Sequence, residues 1–94
     1  MTVGFVAFHY PVPAHFDEFV ARVHKVRAVL RSSPGCLSAE CWVTSEGDAV
    51  VSTAAWDSDD TYSAAFAAVF SAGVDATFDE RECRPRQIFE LESR

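Results

Sequence analysis

The chain is 94 residues long, 49% hydrophobic and 13% aromatic, with a formal net charge of −6 and an isoelectric point near 4.8. That length makes one domain, residues 1–94, whose core is modest, so the apolar surplus requires an interior cavity, a partner subunit, or both. The acidic balance makes nucleic acid and anionic membrane surfaces poor partners, and no apolar run is long enough to span a bilayer.

The opening MTVGFVAFHYP has no basic leader region and no small-residue cleavage site, so the expected compartment is the cytoplasm. Arginine far outnumbers lysine and alanine is abundant, a bias that fits a GC-rich bacterial genome. Thr2 to Tyr10 reads as a strand, stopped by Pro11 and Pro13. Pro13 suits the first turn of a helix, where a missing N–H costs nothing. From there to Ser33, Phe16, Phe19, Val20, Val23, Val26 and Leu30 recur at threes and fours, the signature of one buried helical stripe. Asp17 and Glu18 stand near its start and the basic residues later, as the helix dipole prefers.

Ser32-Ser33-Pro34-Gly35 is a break. Cys36 to Thr44 then alternates as a strand, with Leu37, Ala39, Cys41 and Val43 on one face and Ser38, Glu40, Trp42 and Thr44 on the other. Cys36 and Cys41, five apart, are expected on opposite faces, unable to pair or to share a metal; Cys83 stands alone in a polar segment, and all three are expected to be buried apolar thiols. Ser45-Glu46-Gly47-Asp48 signals a hairpin into a partner strand, Ala49 to Trp56. Asp57 to Asp60 cap and open a second helix, which runs to Ala72 before Gly73, with Tyr62, Phe66, Val69 and Phe70 as its apolar stripe. Val74 to Cys83 has no clear period and room for a short extra turn. Arg86 to Glu92 is a last strand, with Gln87, Phe89 and Leu91 on one face and Ile88 among acidic residues on the other.

The order β-α-β-β-α-β predicts an α+β, ferredoxin-like fold: a four-stranded antiparallel sheet with both helices on one face. A sheet face open to water alternates apolar with polar. The first strand instead sets Phe5 and Ala7 against Val6 and Phe8, and the third sets Val51 and Ala55 against Val50, Ala54 and Trp56. Both faces are dry in their middles. The helix-free face is therefore expected to meet a second copy in a homodimer, leaving the helix-covered side for a ligand.

Four pieces carry a family resemblance: the N-terminal strand, "RSSPGCLSAECWV", the hairpin, and "VVSTAAWDSDDTYSAAF". Together, over Val3 to Leu91, they resemble the antibiotic biosynthesis monooxygenase (ABM) family of dimeric α+β barrels. The resemblance implies a cofactor-independent monooxygenase that oxidises a quinol- or anthrone-like aromatic of polyketide type with O2, needing no metal or organic cofactor. It implies that Trp56, at the end of the third strand, and Tyr62, early in the second helix, border the substrate pocket. Ser52 stands where the family's oxygenases carry an asparagine. For a late basic residue, Arg81, Arg84 and Arg86 are candidates, with Arg86 taken as substrate-binding. The family's haem-degrading branch needs a histidine on the second helix, and Ala64 to Phe70 contains none. A non-catalytic barrel that binds an aromatic metabolite, and an isomerase or cyclase of the same fold, are the alternatives.

Such oxidation needs aromatic walls, a donor or cation near the substrate oxygen, and a base. Trp56 and Tyr62 offer ring area with one N–H and one O–H; as residues at a strand–helix corner they either close the core or line the pocket. His9, at the end of the first strand, has the intrinsic basicity for proton transfer. Phe66 and Phe70 are core or pocket floor. His15 and His24, nine apart on one helix, form no metal site, the Asp57–Asp60 cluster is helix capping, and Trp42 is packing or interface.

Overall fold

The computed structural model describes residues 2–74 and 77–94. Its elements are β1 (Val3–Pro11), a 3-10 turn (Pro13–His15), α1 (Phe16–Arg31), β2 (Cys36–Val43), β3 (Val50–Trp56), α2 (Asp59–Ser71) and β4 (Glu82–Glu92). The strands form one antiparallel sheet in the order β2-β3-β1-β4. This is the ferredoxin-like arrangement expected from the pattern, with α1 and α2 packed on the same sheet face.

Local chemistry sets the boundaries. The prolines keep the start of the first helix as a 3-10 turn before α1 proper. At α2 the N-cap is Ser58, whose Oγ accepts from the Thr61 amide at 3.2 Å, while Asp57 Oδ1 accepts from the Thr61 hydroxyl at 2.8 Å. The acidic cluster is thus spent on capping. Gly35 sits at φ +77°, and a β-carbon there would lie 2.5 Å from Asp57 Oδ1 and 2.6 Å from Thr61 Cγ2. Only glycine allows this entry to β2 to press against the start of α2.

The bulge between Cys36 and Ser38 corrects one expectation. Cys36 pairs with Trp56 and Cys41 with Ser52, so both cysteines face the helices, and Leu37 is left 60% exposed. One extra residue in the strand reverses the alternation on its far side. Two arginines of α1 cover this edge: Arg27 Nε and Arg31 Nε donate to the Ala39 carbonyl at 2.9 and 3.2 Å. On the opposite edge, β4 begins at Glu82, four residues before the expected start. Pro85 is tolerated there because β4 pairs on one side only. A turn does precede it, the Glu82 amide bonding the Asp79 carbonyl at 3.1 Å. Residues 75 and 76 of that stretch lie outside the described residues.

The helix-covered side holds two clusters. One gathers Phe5, Ala7, Leu30, Ala39, Ala54, Trp56, Ala65 and Val69; the other Phe19, Val23 and Val50. The helix-free face carries Val6, Phe8, Tyr10, Ala49 and Val51, with Trp42, Phe89 and Leu91 57%, 49% and 48% exposed. Trp42 Nε1 donates to Thr53 Oγ1 at 3.1 Å on this face. Among the described residues, no helix is long and apolar enough to cross a membrane.

Candidate functional site

Two regions under the helices hold the residues singled out from the sequence. At the first, where β3 turns into α2, four rings meet. Trp56 is fully buried, with Tyr62 edge-on at 4.9 Å between centroids, Phe66 at 5.6 Å and Phe5 at 6.4 Å. Phe5 and Phe66 make a T-shaped pair at 5.0 Å. Such edge-to-face contacts are the arrangement that ring quadrupoles favour. The Trp56 indole N–H has no hydrogen-bond partner among the described residues. Burial pushes the Tyr62 phenol up, and the neighbouring Glu90 carboxylate adds to the shift.

At the second region, further along the same sheet face, side chains leave a cavity of about 170 Å³. Phe5, Ala7 and His9 of β1, Ser52 of β3, and Arg86 and Ile88 of β4 line its sheet side; Val23 and Val26 of α1 with Phe66 and Val69 of α2 roof it. The hollow has a simple origin. Ala7 sits opposite Ser52 in the β1–β3 register, so two small residues meet where a branched or aromatic pair would fill the space.

The polar end of the cavity is His9, Ser52 and Arg86, and behind them lies Glu82. The Glu82 side chain is fully buried. It accepts from Arg86 Nε at 2.9 and 3.1 Å and from Arg86 Nη2 at 2.8 Å, a two-pronged ion pair. Arg86 Nη2 also donates to the Thr77 carbonyl at 2.9 Å. His9 Nδ1 stands 3.7 Å from Glu82 Oε1, beyond hydrogen-bond length. Burial pulls the His9 imidazole below its ordinary range, the Arg86 charge adds to that, and Glu82 opposes it. That balance favours the neutral imidazole.

Of the sequence-named residues, His9, Ser52, Phe66 and Arg86 converge on this cavity. Trp56 and Tyr62 stand outside it, in contact with its Phe66 wall. Phe70 contradicts its expected place in core or pocket floor: it is 88% exposed. The buried line of α2 runs through Ala65 and Val69, so Tyr62 and Phe66 flank it half-buried and Phe70, in the last turn, falls outside. The other two arginines are engaged elsewhere. Arg81 pairs with Asp79 at 2.8 Å and with Glu18, and Arg84 lies 3.8 Å over the Tyr10 ring. Glu82 was not singled out from the sequence. Its one legible signal was the spacing to Arg86, four residues along a strand and therefore on the same face. Among the described residues, no three His, Cys, Asp or Glu side chains group as a metal site.

The family model for antibiotic biosynthesis monooxygenase matches residues 2–69. The chain belongs to this family. Solved structures of the same fold include Rv0793 from Mycobacterium tuberculosis, 18% identical with a TM-score of 0.86, over 99% of this chain and 95% of that one. A conserved protein from Methanosarcina mazei is 12% identical at a TM-score of 0.86, over 100% and 94% of the two chains. SnoaB from Streptomyces nogalater, a cofactor-independent oxygenase, is 17% identical at a TM-score of 0.71, over 99% and 93%. No curated protein matches the sequence. At these identities the ABM fold is what the chain shares with its neighbours.

Proposed function

We propose that this ABM protein is a homodimeric, cofactor-independent monooxygenase of a hydroxyl-bearing aromatic, acting in the cavity beneath its helices. The observation that carries the reading is the cavity's composition: apolar walls ending in a neutral histidine, a serine and an arginine–glutamate pair. Family membership and the likeness to a cofactor-independent oxygenase support it.

Dioxygen reacts slowly with closed-shell molecules, but an aromatic oxyanion passes it one electron without a metal or flavin. In this reading His9 takes the hydroxyl proton, and the adjacent Glu82 carboxylate steadies the imidazolium that forms. The anion and O2 become a radical and superoxide. They combine at a ring carbon bearing hydrogen, and His9 returns its proton to the peroxide. Loss of water from the C–H and O–OH then leaves a carbonyl. One O2 is consumed, one oxygen enters the product and one leaves as water. Ser52 supplies a hydroxyl at the polar end, and the Phe5, Val23, Val26 and Val69 walls keep bulk water from the superoxide. Trp56 and Tyr62 act from behind, holding Phe66 in place.

The second copy belongs on the helix-free face, whose Trp42, Phe89 and Leu91 are a costly apolar surface to leave in water. Sedimentation should give twice the 10.3 kDa chain mass; a monomer at micromolar concentration overturns the dimer.

Oxygen uptake tests the activity. Metal-free protein is mixed with a panel of quinols and phenols of one, two and three rings, dithranol and menadiol among them. Uptake above the protein-free rate for at least one member is expected. Saturable binding without uptake would replace the enzyme by a binding protein for aromatic metabolites.

A further inference from the structure

The cavity's size and charge narrow its ligand beyond the family's general chemistry. An apolar cavity of about 150 Å³ holds one benzene molecule, whereas sites for larger ligands run from about 300 Å³ upward. The space here is about 170 Å³. One ring with a small substituent fits within it; three fused rings exceed it and must extend through its open side or part helix from sheet. The charge is equally restrictive. Among the described residues, Arg86 is the only cation lining the cavity, and its guanidinium is committed to the buried Glu82 carboxylate through both Nε and Nη2. A ligand carboxylate arriving there would compete with a carboxylate already in place and sit near its charge. The groups facing His9 are Glu82 and Arg86 from β4 and Arg22 from α1, with the Phe19 ring 6.4 Å away. A neutral imidazole in that setting accepts a hydrogen bond. It asks for a donor, and a phenolic hydroxyl is a strong donor that a single ring can carry.

We infer that the cavity binds a neutral single-ring phenol, its hydroxyl donating to His9 and its ring lying between the Ala7–Ser52 floor and the Val23, Val26, Phe66 and Val69 roof, with Glu82, held by Arg86, as the residue that positions His9. The inference rests on the site assigned above but not on its oxidation chemistry.

The test is a set of dissociation constants at pH 7.5, read from NMR chemical-shift titrations of the full chain with phenol, toluene, benzoate, 1-naphthol and anthrone. The native protein should bind phenol at least tenfold more tightly than benzoate, and about tenfold more tightly than either larger ring system. In His9→Leu the phenol-to-toluene preference should fall about tenfold, while retained toluene binding shows that the variant is folded and the cavity intact. Glu82→Gln should lower the His9 titration midpoint, because the charge that favours the imidazolium has gone. Benzoate binding tighter than phenol, anthrone binding as tight as phenol, or an unchanged preference in His9→Leu would each overturn the inference. Phenol binding with no oxygen uptake by any compound would leave it standing and remove the oxygenase. Uptake with three-ring compounds alone, with no phenol binding, would do the reverse.

Discussion

Under the same pair of helices, one end of the sheet is packed solid and the next stretch is hollow. At the Trp56 corner, four aromatic side chains meet with centroids 4.9 to 6.4 Å apart and the indole is sealed from solvent. A short way along β1 and β3, Ala7 meets Ser52 and the space above them stays open. Phe5 and Phe66 belong to both regions. The contrast teaches that large aromatics mark where this core is full, and small residues in strands otherwise rich in bulk mark where it is empty. Stability is expected to come from the first region and ligand selection from the second.

The sharpest way to break that division is Trp56→Ala. Removing a fully buried ring should cost about 3–5 kcal/mol in denaturant unfolding, while the phenol-to-toluene preference of whatever remains folded stays as in the native protein. A changed preference would place Trp56 in the binding site. Glu82→Ala takes from Arg86 its buried carboxylate partner, and breaking a buried pair on one side costs up to about 3–5 kcal/mol; Arg86 keeps its bond to the Thr77 carbonyl and touches solvent, which puts the expected loss at the lower end. Ala7→Leu is the converse experiment: the added side chain enters the hollow, so ligand affinity should drop by about tenfold or more while the thermal midpoint holds or rises. If Ala7→Leu folds, lowers the thermal midpoint and leaves ligand affinity unchanged, the hollow lies elsewhere.

A gentler test uses pH. His9 has a folded-state pKa below its unfolded value of about 6.5. Between those two values the unfolded chain binds more protons, so stability rises with pH there and is lost as pH falls below about 6.5. His9→Leu should remove that slope between the two midpoints in urea titrations. The smallest expected effect is at Phe70. Its ring is exposed, so Phe70→Ser should change stability by no more than about 0.5 kcal/mol. A loss several times larger would mean that a second copy covers it.

Much of this was legible in the chain. Pro11 and Pro13, the Ser32–Gly35 break and the Gly47 hairpin bounded the elements, because those residue types restrict backbone geometry without help from distant neighbours. The period of Phe19, Val23, Val26 and Leu30 located the inner face of α1. What failed did so for non-local reasons. The bulge at Leu37 turned Cys36 to the helix side, and no property of Cys36-Leu37-Ser38 announces an extra residue against β3. The start of β4 was hidden because Glu82 to Pro85 lacks apolar alternation; that strand is held by pairing with β1. Phe70 looked equivalent to Phe66, and only the position of the sheet beneath α2 separates them.

The amino-acid sequence alone determined the element order, the antiparallel sheet with both helices on one side, and the apolar middles of both sheet faces, since periodicity and turn chemistry act within a few residues. The tertiary structure alone decided which of the named residues share one space. His9, Ser52, Phe66, Glu82 and Arg86 come from four elements, and their convergence depends on strand register and on how far two helices can settle over an alanine and a serine.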